Sequence, residues 1–204
     1  RGLAENGGVK DIMEQGILVI NAGSSSIKFA VFTDGGRPEP VLLFKGQMEG
    51  LGSDPSFQVK DATGRKIDER DEWPRGSTLN HAGALRYILS WLEECASDIE
   101  IVAAGHRVVH GGLDYDRAVR LDEDVIADLE QLVPLAPLHQ PHNLAAIRAL
   151  AEVAPKLPQV ACFDTAFHRT QPRVAQLFAL PRALTESGVR RYGFHGLSYE
   201  YIAH

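Results

Sequence analysis

The run Ile17-Leu-Val-Ile-Asn-Ala-Gly-Ser-Ser-Ser-Ile-Lys-Phe-Ala-Val-Phe32 constrains the fold more than any other stretch of the chain. Two apolar segments, Ile17 to Ile20 and Phe29 to Phe32, are short and rich in Ile, Val and Phe, so they predict buried strands. The turn between them gathers Asn21, Gly23, three serines and Lys28. Such a turn can cradle phosphate. Glycine lets the backbone approach closely, hydroxyl and amide groups donate to oxyanions, and lysine adds a point charge. The same residues also suit an ordinary hairpin with a polar turn.

Beyond this hairpin, Val41 to Gln47 predicts a third strand, and the Asp61-Ala-Thr-Gly64 turn predicts a strand pair from Phe57 to Lys60 and Lys66 to Arg70. Leu79, Ala82, Leu85, Ile88, Leu89, Leu92 and Cys95 recur at helical spacing and predict a helix opening at Ser77-Thr78. A short strand from Ile99 to Ala104 then runs into a glycine- and histidine-rich loop. A second helix is predicted from Asp122, with Glu123 and Asp124 complementing its dipole, and it stops before Pro134. A third runs from about Pro141 to Val153, and Val160 to Phe163 forms a last short strand. Strands followed by alternating helices and strands indicate an α/β fold, a mixed sheet flanked by helices. Residues 1–16, polar and without periodicity, are expected to form a disordered extension, since a natural start fits at Met13. A new helical pattern opens at Leu197 and stops within one turn or two at His204, so the chain is expected to be cut short there.

At 204 residues the chain can bury a proper core, and 44% hydrophobic with 24% charged residues is ordinary for a soluble globular protein. A formal charge of -6 without any basic block argues against nucleic acid as a partner. No apolar run approaches the ~18 residues of a membrane span, so no membrane partner is expected. Cys95 and Cys162 stand far apart without CxxC spacing, which favours a reducing, cytoplasmic location. Neither GxxxxGK[ST] nor GxGxxG occurs, which excludes the P-loop and dinucleotide-fold patterns.

Three further segments hold polar residues that a scaffold alone has little use for. In Gly105-His-Arg-Val-Val-His-Gly-Gly112, Arg107 follows an apolar strand and suits a carboxylate or phosphate ligand, or else a salt bridge to a neighbouring acid. His106 and His110 have i, i+4 spacing, but on a strand and loop this does not make a metal pair. The proline-rich Ala136-Pro-Leu-His-Gln-Pro-His-Asn143 fixes a rigid loop in which His139 either donates to an anion or bonds a backbone carbonyl. Asp164 ends a buried strand, the place where ligands collect in open α/β sheets, or else it caps. In Arg191-Tyr-Gly-Phe-His-Gly196, His195 lies between an aromatic residue and a glycine.

Taken in order, Val19-Ile-Asn-Ala-Gly-Ser-Ser-Ser26 with Lys28, Gly105 to Gly112, Ala136 to His139, Phe163-Asp-Thr-Ala-Phe-His168 and Arg191 to Gly196 closely resemble the motifs of the acetate kinase family. The resemblance covers residues 17 to 200. It implies a ribonuclease H-like fold of the actin, Hsp70 and sugar kinase type, with residues 17–163 as an N-terminal domain and 164–204 as the start of a second. It also implies Mg²⁺-dependent, direct phosphoryl transfer between ATP and acetate, giving ADP and acetyl phosphate, by a protein that is a homodimer when full length. On the matching positions, Asn21 helps place the metal, while Lys28 with Ser24 and Ser26 serves the nucleotide phosphates. Arg107 holds the carboxylate, Asp164 is the catalytic acidic residue, and His195 stabilises the transferring group. Val109 and Leu138 line the pocket for the methyl group; His139 and His168 carry no assigned role. Family chains are roughly twice as long, so a polypeptide of these 204 residues is expected to be inactive alone. Propionate or butyrate kinase chemistry and a non-catalytic nucleotide-binding module of actin or Hsp70 type are the competing readings, with Val109 favouring the shorter acid.

Overall fold

The computed structural model of the protein describes residues 13–33, 39–74 and 76–203. The hairpin is strand β1 (Glu14–Ala22) paired antiparallel with β2 (Ser26–Thr33), with Asn21 directly opposite Lys28. β3 (Val41–Glu49), β4 (Ser56–Asp61) and β5 (Lys66–Arg70) continue the meander outward. Helix α1 (His81–Cys95) then leads to β6 (Ile99–Val108), which lies parallel to β1 on its other side. β7 (Val119–Arg120), α2 (Glu123–Gln131) and α3 (Gln140–Val153) precede β8 (Gln159–Phe163), parallel to β6. Three short helices, α4 (Arg173–Gln176), α5 (Arg182–Glu186) and α6 (Gly196–Ala203), complete the described chain. The eight strands make one mixed sheet in the order β5-β4-β3-β2-β1-β6-β8-β7.

Alternation decides which face of this sheet is the core. Leu18, Ile20, Ile27 and Val31 are fully buried and pack with Leu85, Ile88 and Leu150 from α1 and α3. Each such side chain contributes about 1.5–3 kcal/mol of burial free energy. A second cluster joins Val108, Ala161 and Phe163 to Ile126, Leu129 and Ile147. Ile17 and Val19, on the opposite face of β1, are 42% and 37% exposed. The apolar run of β1 is therefore buried on one face rather than both, the face that α1 and α3 cover.

Three boundaries differ from expectation for identifiable reasons. The part of the expected extension up to Ile12 lies outside the described residues, but Glu14, Gln15 and Gly16 belong to β1, held by pairing with Ile99, Glu100 and Ile101. β6 also runs four residues past Ala104. Gly105, His106 and Arg107 are clamped between Val19 and Ile20 on one side and Val160, Ala161 and Cys162 on the other, so double pairing outweighs the loop-like composition. The helix expected from Ser77 starts instead at His81, where the Asn80 side chain accepts from Gly83 N at 2.9 Å. Asp122 caps α2 as its sequence indicates, accepting from Val125 N at 2.9 Å. Among the described residues, no helix is long and apolar enough to cross a membrane.

Candidate active site

The carboxyl ends of β1, β6 and β8 lie side by side, and each delivers a polar side chain to one hollow. Extending β6 through Arg107 makes its alternation matter. His106 turns inward and is buried, whereas Arg107 turns to the opposite face beside Asn21. Asp164 follows β8 at once, its amide donating to Val108 O at 3.0 Å, and it is only 1% exposed. Its carboxylate is gripped by the guanidinium. Arg107 Nη2 donates to Oδ2 at 2.6 Å, and Nε donates to Oδ2 and Oδ1 at 3.1 and 3.2 Å. Arg107 Nη1 reaches Asn21 Oδ1 at 3.4 Å, and Nη2 lies 3.4 Å from His195 Nδ1. His195 Nδ1 is 4.0 Å from Asp164 Oδ2.

These groups border a cavity of about 550 Å³. Asn21, Arg107, Asp164 and His195 supply its polar lining, and Val109, Leu135, Ala136 and Phe194 its apolar lining. A fixed cation with an apolar wall suits a small organic anion with a short alkyl end. Among the described residues, no group of three or more His, Cys, Asp or Glu could hold a metal ion by itself.

Of the residues singled out in the sequence, Asn21, Arg107, Val109, Asp164 and His195 meet here, and His139 joins them. Four others do not. Leu138 is 78% exposed, because the tight turn between Val133–Leu135 and α3 carries it away while Leu135 and Ala136 take the wall. Ser24 borders a separate hollow beside the start of α1. Ser26 O accepts from Gly23 N at 2.8 Å, so this turn amide is spent on closing the hairpin. Lys28, one strand beyond Asn21, borders another hollow of about 260 Å³ with Lys45 and Lys60.

Gln140 and Asn143 were not picked out. Asn143 Oδ1 accepts from Val109 N and its Nδ2 donates to Ala22 O, both at 3.0 Å, tying α3 to the ends of β6 and β1 under the cavity. Gln140 accepts from His110 N and donates to the carbonyls of His110 and Leu129. A signal was present: both are polar residues on the buried stripe that continues through Leu144 and Ile147. Replacing Asn143 with alanine strands a buried amide and a carbonyl and is expected to cost about 2 kcal/mol. Urea unfolding measures this, and a loss below about 0.5 kcal/mol would show the tie to be dispensable.

Comparison with known proteins agrees with this architecture. Residues 16–204 match the acetokinase family. An acetate kinase of Methylocella silvestris is 49% identical over 195 residues, covering 93% of this chain and 48% of that protein. A propionate kinase from Francisella tularensis superposes with a TM-score of 0.80 at 34% identity, covering 92% of this chain and 47% of its own. The acetate kinase of Porphyromonas gingivalis gives 0.76 at 36% identity, with 91% and 46% covered. The chain thus spans about half the length of these relatives, and its mixed sheet has the actin, Hsp70 and sugar kinase-like arrangement. This chain belongs to the acetokinase family.

Proposed function

We propose that the chain provides the acid-binding and phosphoryl-transfer face of an acetate kinase, which interconverts ATP and acetate with ADP and acetyl phosphate. The observation that carries this is Arg107, held by Asp164 and Asn21, at the polar side of a cavity whose other side is apolar. Acetate, with a carboxyl pKa near ~4, is already ionised at neutral pH and needs no base to expose its nucleophilic oxygen. The difficulty is bringing a carboxylate and a phosphoryl group together. Arg107 neutralises the acid, His195 donates to the transferring group, and Asp164 keeps Arg107 aligned by accepting three of its hydrogen bonds. Lys28, across from Asn21, suits the outer phosphates of a nucleotide laid over that edge.

Mg²⁺ fits this donor set. The Asn21 amide oxygen and the Asp164 carboxylate are hard oxygens, and Mg²⁺ in phosphate sites takes one or two protein carboxylates together with substrate oxygens. When bound, it would supply further neutralisation of phosphate charge. A second reading, propionate as the acid, draws on the cavity volume of about 550 Å³ and on the propionate kinase among the structural neighbours. One methylene is worth only about 1–3 kcal/mol, so kcat/KM for acetate, propionate and butyrate separates the two.

Turnover by the 204 residues alone is expected to be negligible, because relatives with this activity are about twice as long. A coupled assay with ATP, acetate and Mg²⁺ tests this, and normal turnover from the isolated chain would contradict it. In a chain continued to the relatives' length, His195→Ala is expected to lower kcat by on the order of a hundredfold, the loss of one donor to the transition state. An unchanged kcat would remove His195 from the reaction.

A further inference from the structure

His195 is the one described residue other than glycine with a left-handed backbone, at φ +57. An L-residue with a side chain resists this conformation, and it persists only where the surroundings over-determine it. Both chain neighbours of His195 are pinned. On one side, His168 Nε2 lies 2.8 Å from Phe194 O, and Gln171 Nε2 lies 3.4 Å from His168 Nδ1. A carbonyl can only accept, so the His168 proton sits on Nε2. Gly193 packs so tightly on the His168 ring that no Cβ fits between them. On the other side, Gly196 N donates to Asp164 O at 2.8 Å, again with no room for a Cβ.

A second histidine lies beneath the same segment. His110 is fully buried, and its Nδ1 accepts from Gly112 N at 2.9 Å, which leaves its proton on Nε2. That Nε2 has no hydrogen-bond partner among the described residues. The His110 ring instead meets Tyr192 edge-to-face, with centroids 4.4 Å apart, and Phe194 at 5.9 Å.

We infer that His168, assisted by His110 under Tyr192, is a positioning residue: its Nε2–H grip on the Phe194 carbonyl holds His195 in the left-handed turn that brings the imidazole beside Arg107. With Phe194 O fixed by His168 and Gly196 N fixed by Asp164, the residue between them has to reverse its backbone to join the two. Asp164 therefore acts twice, through its carboxylate on Arg107 and through its carbonyl on the turn that carries His195. The catalytic value of this arrangement rests on the function proposed above, but the clamp itself is a structural statement that can be tested without turnover.

The test is NMR on the 204-residue chain, in which a left-handed residue gives a strong intraresidue amide–Hα cross-peak. That peak is expected for His195 in the unaltered chain and in His168→Gln, whose amide nitrogen can reach the same carbonyl. In His168→Phe, which keeps ring volume under Gly193 but removes the donor, it is expected to weaken severalfold. Full retention in His168→Phe would overturn the inference. A second reading comes from the unaltered chain and needs no variant to fold: long-range ¹H–¹⁵N spectra at neutral pH are expected to show His168 as its Nε2–H tautomer. The Nδ1–H tautomer would equally overturn it. In an active chain of the relatives' length, His168→Phe is expected to lower kcat on the order of tenfold to a hundredfold with the KM for acetate little changed, and His168→Gln to restore it. If the cross-peak weakens while kcat does not, the clamp stands and the catalytic role of His195 fails.

Discussion

Arg107→Ala is expected to destabilise the chain by about 1–3 kcal/mol, the cost of leaving the buried Asp164 carboxylate without its hydrogen-bonded cation. Asp164 is 1% exposed, and the three short contacts to its carboxylate all come from this guanidinium. Asp164→Asn removes the stranded charge, and the double variant is expected to be more stable than Arg107→Ala alone. Urea unfolding of the four proteins measures the cycle. A single-variant loss below about 1 kcal/mol would mean that the pair is no tighter than a surface salt bridge.

Acid should loosen the same region through a different residue. His106, the inward neighbour of Arg107, shares a 2.7 Å hydrogen bond with the Gln159 side chain, and burial lowers its pKa from the usual 6.5 to about 4. The unfolded chain therefore takes up a proton near 6.5, while the folded chain resists until about 4. Stability is fully present above pH 6.5 and is lost as pH falls toward 4, by about 3 kcal/mol in total. His110, also lowered by burial, acts in the same direction. About 2 kcal/mol of the His106 loss falls between pH 6.5 and 5, before most carboxylates titrate. Denaturant unfolding across that interval measures it, and His106→Asn, uncharged throughout, is expected to flatten the slope. Constant stability from pH 6.5 to 5 would contradict the buried, neutral assignment.

The β1–β2 hairpin was legible because two apolar runs and a small-residue turn leave few alternatives, and α1 because Leu85, Ile88 and Leu92 of its stripe are buried. The extension of β6 through Arg107 was not. Gly105 and His106 carry no strand preference, and only pairing with β1 and β8 holds them. β7 has two residues, and antiparallel pairing of Val119 with Ala161 and of Arg120 with Val160 gives it a place that no local pattern announces. Between Asp164 and His195 the chain passes through helices of four or five residues, too short to show a period.

The site divides in the same way. Asn21, Arg107, Val109 and Asp164 were legible through the motifs that carry the family resemblance, and in the structure they stand at or just past the carboxyl ends of β1, β6 and β8 on one cavity. Leu138 and Ser24 sit in turns whose direction depends on contacts made far away in sequence, and they lie off the cavity. His195 arrives through a left-handed turn fixed by His168 and the Asp164 carbonyl, which composition does not reveal.

The central claim is that Asn21, Arg107, Asp164 and His195 form one anion site at the ends of three strands. Titrating acetyl phosphate into the ¹⁵N-labelled 204-residue chain tests it most directly. Saturable shifts are expected at these four residues and at Val109, and they should be lost in Arg107→Gln. Shifts confined to the hollow of Lys28, Lys45 and Lys60, or a response that Arg107→Gln leaves unchanged, would contradict the account.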